Sequence, residues 1–399
     1  MNASLLRRLR GGSPGFSLVE LMVSVVIGLL ALLFATRLIV SGEKNKDAAV
    51  GGSDSMQNGM LALFSLSSDA TAAGWGLNDP MVAGCDTSFS DASGYVLPAM
   101  PRAGASITPL APVVIQSNGA NPDLISFNSG TSQAGAGSIK LFADYTVGNT
   151  LTVDSKNPYG FNNGDVMVIA PLTPGSGKCT LFQLSGFGPP PNSTILVNSG
   201  GAYRFNGIAG LANPYKQNLA YIYNLGSPAL MHFHTWTVAN GVLLLRATEL
   251  AGAESAGVSV TDNVVSIKAQ YGFDTRPPGP KPYDPAPGAD GMQITAWSGS
   301  MIDADSDGVA GSPGDYQRIA AVRIAVVARS KNTEKPNSAG LCTATPVAPT
   351  VFASSTPTGV AAAPVQVNVA VAGDTASWKC YRYRVFETIV QIRNAQWRP

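Results

Sequence analysis

The chain has 399 residues, of which 13% are charged, and its 26 basic and 25 acidic side chains give a formal net charge of +1. This near-neutral balance excludes a strongly basic nucleic-acid-binding protein, and a hydrophobic content of 45% excludes general disorder. The low charge, with 43 glycines and 28 prolines, is typical of a β-rich, loop-rich protein outside the cytoplasm.

The N-terminal forty residues combine a basic start with a long apolar run. Residues 1–15 contain three arginines and no acid, and only Arg37 carries charge in 21–40. As a helix, residues 16–40 would be about 37 Å long, enough to cross a hydrocarbon core of about 30 Å with the N-terminus in the cytoplasm. A cleaved secretory signal has a shorter apolar stretch, and a plain signal anchor leaves Glu20 unexplained, since a carboxylate in a membrane span is costly.

The six residues at positions 15–20, GFSLVE, resemble the cleavage and methylation signature of type IV pilins and pseudopilins. The resemblance implies that a prepilin peptidase cuts after Gly15 and that Phe16 becomes the N-methylated mature N-terminus. It also implies that Glu20 pairs with the N-terminal amine of a neighbouring subunit during assembly. An ammonium group is the kind of partner that a carboxylate in lipid needs.

Beyond the membrane span, the helix is expected to continue to the glycine stop at 73–74, weakened at Gly51 and Gly52. A stripe with 3–4 spacing is predicted to pack on a sheet, and it consists of Met56, Met60, Leu63, Phe64 and Ser67. The expected division of the chain is therefore a leader at 1–15, a helix at 16–73 that spans the membrane at about 16–40, and an extracytoplasmic head at 74–399.

The head is predicted to consist of short strands and long loops, in one α+β unit rather than two domains. The expected strands are 124–127, 139–143, 165–170, 194–197, 219–223, 230–238, 242–247, 318–329 and 381–393. Asn240-Gly241 is a strong hairpin signal between two of them. Residues 276–291 and 332–364 are predicted to be long loops.

Further stretches of the chain resemble the large PilW-type minor pilins of Gram-negative type IV pili. They are 69–76 with Cys85, 264–275, 321–325, 381–384 and 393–394. The resemblance implies a type IV pilin fold, in which a long N-terminal helix packs on an antiparallel sheet, here with an enlarged head. It implies a non-enzymatic minor pilin that primes pilus assembly, sits at the pilus tip and supports display of a tip adhesin, twitching motility and attachment.

The resemblance also implies the partners and the location of the protein. The partners are other minor pilins, the major pilin, the tip adhesin, the inner-membrane assembly platform and the prepilin peptidase, with no nucleic acid. The prepilin is expected to cross the inner membrane once, with its head in the periplasm, before it moves to the pilus tip.

Two other functions are compatible with parts of the chain. A minor pseudopilin of a type II secretion system would share the same N-terminus, and the neighbouring genes would distinguish it. A signal-anchored periplasmic binding protein or hydrolase is disfavoured, because the chain has two histidines and no convergent pattern of nucleophile and base.

The four cysteines, Cys85, Cys179, Cys342 and Cys380, lie too far apart for a metal knuckle or a redox pair. Outside the inner membrane they are expected to be oxidised, and four cysteines allow three pairings between which the sequence cannot choose. The pilin resemblance favours Cys85–Cys179 and Cys342–Cys380, because pilins often close a C-terminal loop with a disulfide.

The segment 303–309, DADSDGV, has oxygen ligands at alternate positions and a glycine at the sixth, as in calcium-binding EF-hand loops. The glutamate expected at the twelfth position is replaced by Gly314, with Asp315 one residue later. No cofactor is required by the predicted function, but a calcium site is predicted from Asp303, Asp305, Asp307, Val309 and Asp315. The alternative is a solvated acidic turn.

The two histidines, His232 and His234, would share one face of a strand. Two imidazoles could begin a metal site, but the sequence places no third ligand, so they are predicted to be exposed polar side chains.

Overall fold

The computed structural model describes residues 15, 17–77, 79–131, 138–154, 160–189, 194–277 and 291–392, without the side chains of 43–45 and 47–50. Contacts within the chain define two compact units, Met1–Ser53 and Asp54–Pro399. Of the predicted leader, only Gly15 lies among the described residues, and Phe16 lies outside them.

The helix α1, Leu18–Ala72, contains an apolar stretch, Leu18–Gly42, that is long and apolar enough to cross a membrane by length and composition. Its large apolar side chains are at least half exposed. The hydroxyl groups of Ser24 and Thr36 donate to carbonyl oxygens one turn earlier, at 2.9 and 3.0 Å. These polar groups therefore need no partner outside the helix. The helix is continuous through the two glycines at 51 and 52.

The second unit contains the end of α1 and a β-rich head. The strands of its first half are β1 Cys85–Ser88, β2 Met100–Arg102, β3 Ala105–Ile107, β4 Pro109–Leu110, β5 Val113–Gln116, β6 Leu124–Ser129, β7 Ser138–Lys140, β8 Thr150–Thr152, β9 Val166–Pro171, β10 Cys179–Gln183, β11 Gly186–Phe187 and β12 Thr194–Leu196. The elements that follow are β13 Ala220–Gly226, β14 His232–Ala239, β15 Val242–Ala247, β16 Val258–Asp262, β17 Val264–Phe273, β18 Ala296–Ser298, α2 Pro313–Gln317, β19 Ile319–Arg329, β20 Thr350–Val351, β21 Val365–Gln366, a 3-10 helix Trp378–Cys380 and β22 Tyr383–Gln391.

The strands form several sheets. A four-stranded antiparallel sheet has the order β18-β17-β19-β22, and a five-stranded antiparallel sheet has the order β16-β15-β14-β6-β5. A six-stranded sheet, β4-β1-β10-β9-β13-β7, is antiparallel except where β1 runs parallel to β10. A smaller sheet, β11-β12-β8, and two pairs, β2-β3 and β20-β21, complete this set. The apolar helix and this large β-rich region are compatible with the predicted α+β class.

The face of α1 that is buried in the head carries mostly small side chains: Ser55, Gly59, Ala62, Leu66 and Ala70. The last three share one apolar core with residues of both the four-stranded and the five-stranded sheet. A Cβ atom at position 59 would collide with the ring of Phe386 on β22, so glycine lets this ring pack directly against the helix.

The prediction that the apolar stripe from Met56 to Ser67 forms this packed face is therefore wrong. Met56, Met60 and Phe64 are exposed, and Leu63 and Ser67 are half-buried. The two faces have the same helical spacing, and the sheets select the one whose small side chains allow close packing.

Where residues are described, the longer predicted strands are present, with ends that differ by a few residues. The hairpin at Asn240-Gly241 is confirmed, because Ala239 pairs with Val242 across it and both turn residues have positive φ, +51° and +76°. The last predicted strand extends from Tyr383 to Gln391, and residue 393 lies outside the described range.

Candidate functional site

The N-terminal motif lies at the start of α1. Glu20 is exposed on the first turn of the helix, where a negative charge is favoured by the helix dipole. At Gly15 an added Cβ atom would meet no other heavy atom within 4 Å. The described members of the motif are therefore open to an enzyme or to another subunit.

The acidic loop, residues 303–315, follows β18 and includes the first three residues of α2. Its first part is a series of tight turns in which aspartates accept hydrogen bonds from the backbone. Asp303 Oδ2 accepts from the N–H of Gly308 at 3.0 Å, and Asp305 Oδ1 accepts from the N–H of Asp307 at 3.1 Å. Gly308 has a φ of +88°, which favours glycine. The loop therefore wraps back on Asp303 as a cation-binding loop would.

Asp315 returns to the first part of this loop and organises it. One carboxylate oxygen from each of Asp303, Asp305 and Asp315 lies within 4.8 Å of the others. Oδ1 of Asp315 accepts from the N–H groups of Ala304 and Asp305, at 2.5 and 3.2 Å. Oδ2 accepts from the N–H groups of residues 311 and 312, at 2.7 and 3.0 Å. With four donors on its two oxygens, Asp315 is better placed to organise the loop than to bind an ion.

The loop concentrates negative charge. Burial raises the pKa of Asp305, and the neighbouring charges of Asp307 and Asp303 raise it further, against the lowering by the N–H group of Asp307. Burial also raises the pKa of Asp315 to about 6, although its backbone hydrogen bonds lower it. A bound cation would relieve the repulsion between these carboxylates.

Two residues outside the predicted calcium ligands, Arg102 and Ser312, hold the loop in place. Arg102 donates from Nε to the carbonyl oxygen of Gly311 at 2.5 Å. Ser312 and Asp315 form a capping box at the start of α2, a pattern that the spacing S-x-x-D could have indicated. A Cβ atom at Gly314 would collide with the carboxylate of Asp305, so the glutamate of an EF-hand loop could be placed there only if the Asp305 side chain moved.

Two disulfides close the head, with the same pairing that the pilin resemblance favours. The bond between Cys85 and Cys179 joins β1 to β10, with the two Cα atoms 6.0 Å apart. The second bond joins Cys342 to Cys380, 38 residues later in the chain. The second bond closes the long loop before β22. In the chain-entropy description, closing a loop of this length is worth roughly 4 kcal/mol.

Comparison with known proteins finds one family model that matches part of the chain. The family model of type IV pilus-assembly protein W, PilW, matches residues 233–394, about two fifths of the chain. A search of curated proteins found no match, and a search of solved structures found none. The matched segment begins in β14 and contains the acidic loop and the whole four-stranded sheet. The match supports a pilus-assembly protein of the PilW type, with a role in type IV pilus assembly at the cell envelope.

Proposed function

We propose that this chain is a minor pilin that helps to initiate type IV pilus assembly and remains at the pilus tip, where it supports adhesin display, twitching motility and attachment. The observation that carries the proposal is the PilW match over 233–394 in a chain whose N-terminus has the prepilin-like motif and the apolar stretch Leu18–Gly42. In this function the prepilin crosses the inner membrane once, and its head lies in the periplasm.

Surfaces on α1 support a role in subunit contacts. Met60 and Phe64 are 53% and 71% exposed on the face opposite the packed one, and Met56 and Leu61 are also exposed. Exposed large apolar side chains in one patch are typical of interaction surfaces. In a fibre this face would pack on other pilins, and Glu20 would pair with the N-terminal amine of a neighbour.

Substitutions in the N-terminal motif test this function. Gly15→Val is expected to leave the leader uncleaved, as measured by the mass of the membrane-bound chain. Glu20→Gln is expected to leave cleavage intact but to prevent incorporation into pili and to abolish twitching in a complemented deletion strain. The matched control is Glu43→Gln, the same change on the same helix beyond the apolar stretch, which should support normal piliation.

The main alternative is a minor pseudopilin of a type II secretion system, which would process and anchor the chain in the same way. If deletion of the gene leaves piliation and twitching normal but abolishes secretion of exoproteins, the pilus function is wrong. Normal piliation together with normal secretion would also refute it.

We also propose that the acidic loop binds Ca²⁺ through the carboxylates of Asp303, Asp305 and Asp307 and the carbonyl oxygen of Val309, with Asp315 organising the loop. Hard oxygen ligands at alternate positions in the sequence and a sharp glycine turn support this ion. Carboxylate oxygens of Asp303 and Asp305 converge with one of Asp315, and Asp307 is not among the side chains that converge there, so it would have to turn towards the ion.

Calorimetry with CaCl₂ on the full-length chain in detergent tests the calcium proposal. Asp307→Asn is expected to weaken binding at least tenfold, because it removes a charged ligand. Asp154→Asn, at an exposed site outside the loop, is the matched control and should bind as the unchanged chain does. The absence of calcium heat at millimolar concentration would refute the proposal.

A further inference from the structure

The hairpin of β14 and β15 brings Glu249 next to the two histidines. Glu249 is the third ligand that the sequence alone did not place. His232 and His234 are two residues apart on β14 and point to the same face. His234 pairs with Ala247 on β15, so Glu249, two residues after Ala247, comes opposite His232 on that face. His234 is therefore not the exposed polar residue that the sequence predicts, since its side chain is only 12% exposed.

The distances between the three side chains are close to those of a metal site. Oε1 of Glu249 lies 3.3 Å from Nδ1 of His232 and 2.6 Å from Nε2 of His234. In a tetrahedral site with bonds of about 2.0–2.1 Å, two ligand atoms are about 3.3 Å apart. The first distance already has this value, and the second, a hydrogen bond, needs to lengthen by about 0.7 Å.

A fourth residue, Asp69 on α1, holds His234 in the orientation that a metal ligand needs. Its Oδ2 atom lies 2.6 Å from Nδ1 of His234 and accepts a hydrogen bond from Nε1 of Trp236 at 2.7 Å. A carboxylate that accepts the N–H of a ligating imidazole is the common outer partner in zinc sites, because it fixes the tautomer with the other nitrogen free to bind.

We propose that Nδ1 of His232, Nε2 of His234 and a carboxylate oxygen of Glu249 bind a divalent transition metal of the zinc type, with water at the fourth position. Two imidazoles and a carboxylate suit Zn²⁺, whereas Ca²⁺ prefers oxygen ligands alone. His232 is 46% exposed, which gives the ion an entry path and leaves room for water. All four cysteines are in disulfides, so no thiolate competes for the metal.

In the absence of metal, the site is a hydrogen-bonded cluster. Burial disfavours a charged imidazole, but hydrogen bonds and charges from Asp69 and Glu249 outweigh burial and raise the pKa of His234 to about 9. Zinc would displace the proton between Nε2 and Glu249, which is released to solvent, and the proton on Nδ1 would remain on the Asp69 side. The ion would thus join β14 to the segment after β15. The hydrogen bond between His234 and Asp69 on α1 would remain.

Calorimetric titration of ZnCl₂ tests the site in the full-length chain, purified in detergent without a polyhistidine tag and treated with EDTA before dialysis. One zinc per chain is expected. His232→Ala and Glu249→Gln should each weaken binding at least 30-fold, because each removes one of three ligands. Asp154→Asn, at an exposed site outside both clusters, is the matched control and should bind zinc with unchanged affinity.

Replacement of zinc by Co²⁺ gives an independent readout. The visible absorption band of tetrahedral Co²⁺ is expected in the unchanged chain and should be lost in His232→Ala. This residue is exposed, so the substitution should leave the fold intact, and far-UV circular dichroism of the variant checks this. Failure to bind one zinc per chain, or binding that neither His232→Ala nor Glu249→Gln weakens, would overturn the proposal.

Discussion

Asp315→Ala should destabilise the protein far more than its position in an exposed acidic loop suggests. The carboxylate accepts four backbone N–H groups, and three of the donors belong to buried residues, at 304, 311 and 312. Each buried hydrogen bond lost is worth about 1–1.5 kcal/mol, so the three together are worth about 3–4.5 kcal/mol. Removal of the negative charge beside Asp305 offsets part of this loss, so about 3 kcal/mol is expected.

Urea denaturation of the full-length chain in detergent at pH 7, with EDTA present and tryptophan fluorescence as the signal, measures this effect. The matched control is Asp307→Ala in the same loop, at an exposed site. Among the described residues, its carboxylate accepts a hydrogen bond only from the N–H of Val309, at 2.7 Å. That change is expected to cost less than about 1 kcal/mol. Equal costs for the two variants, within about 0.5 kcal/mol, would refute the reasoning that Asp315 organises the loop.

Four further substitutions test the core and the loop closure by the same denaturation assay, which measures the loss in free energy of unfolding. Lys268→Met leaves the carboxylate of Asp123 buried without its cation and should cost about 3–5 kcal/mol at pH 7. Burial raises the pKa of Asp123 and Lys268 lowers it, so without Lys268 the pKa of Asp123 rises further. As the pH falls towards 4, Asp123 becomes protonated in the folded variant and the loss in stability should shrink. A loss that does not depend on pH would contradict this. Leu66→Ala, at a buried position, should lower the free energy of unfolding by about 2–5 kcal/mol, and Phe64→Ala, at an exposed one, by less than about 1 kcal/mol. The reverse order would show that the helix face with Phe64 is the packed one. Cys342→Ser, which opens its disulfide, should cost roughly 4 kcal/mol, and a loss below about 1 kcal/mol would mean that the loop is held by other contacts.

Features that depend on neighbours in the chain were predictable from the sequence. The long apolar run allowed the extent of the helix to be estimated, because a membrane-crossing helix needs only length and composition. Asn240-Gly241 predicted the hairpin, since both residues tolerate the positive φ that the two-residue turn requires. The aspartates at alternate positions before Gly308 likewise predicted a tight acidic loop.

Features that depend on distant contacts were decided only by the tertiary structure. The spacing of apolar residues on α1 fits two faces, and contact with β22 selects the face with Gly59. Asp315 follows the motif 303–309 in sequence, but its role comes from four donors spread over residues 304–312.

The sequence by itself thus determined the N-terminal segment, the α+β composition and the acidic loop, because their signals are local in the chain. The pairing of the cysteines, the packed face of the helix and the meeting of Glu249 and Asp69 with the two histidines were decided by the fold. Each of these depends on the distance between side chains that are far apart in sequence, and strand register and close packing set that distance.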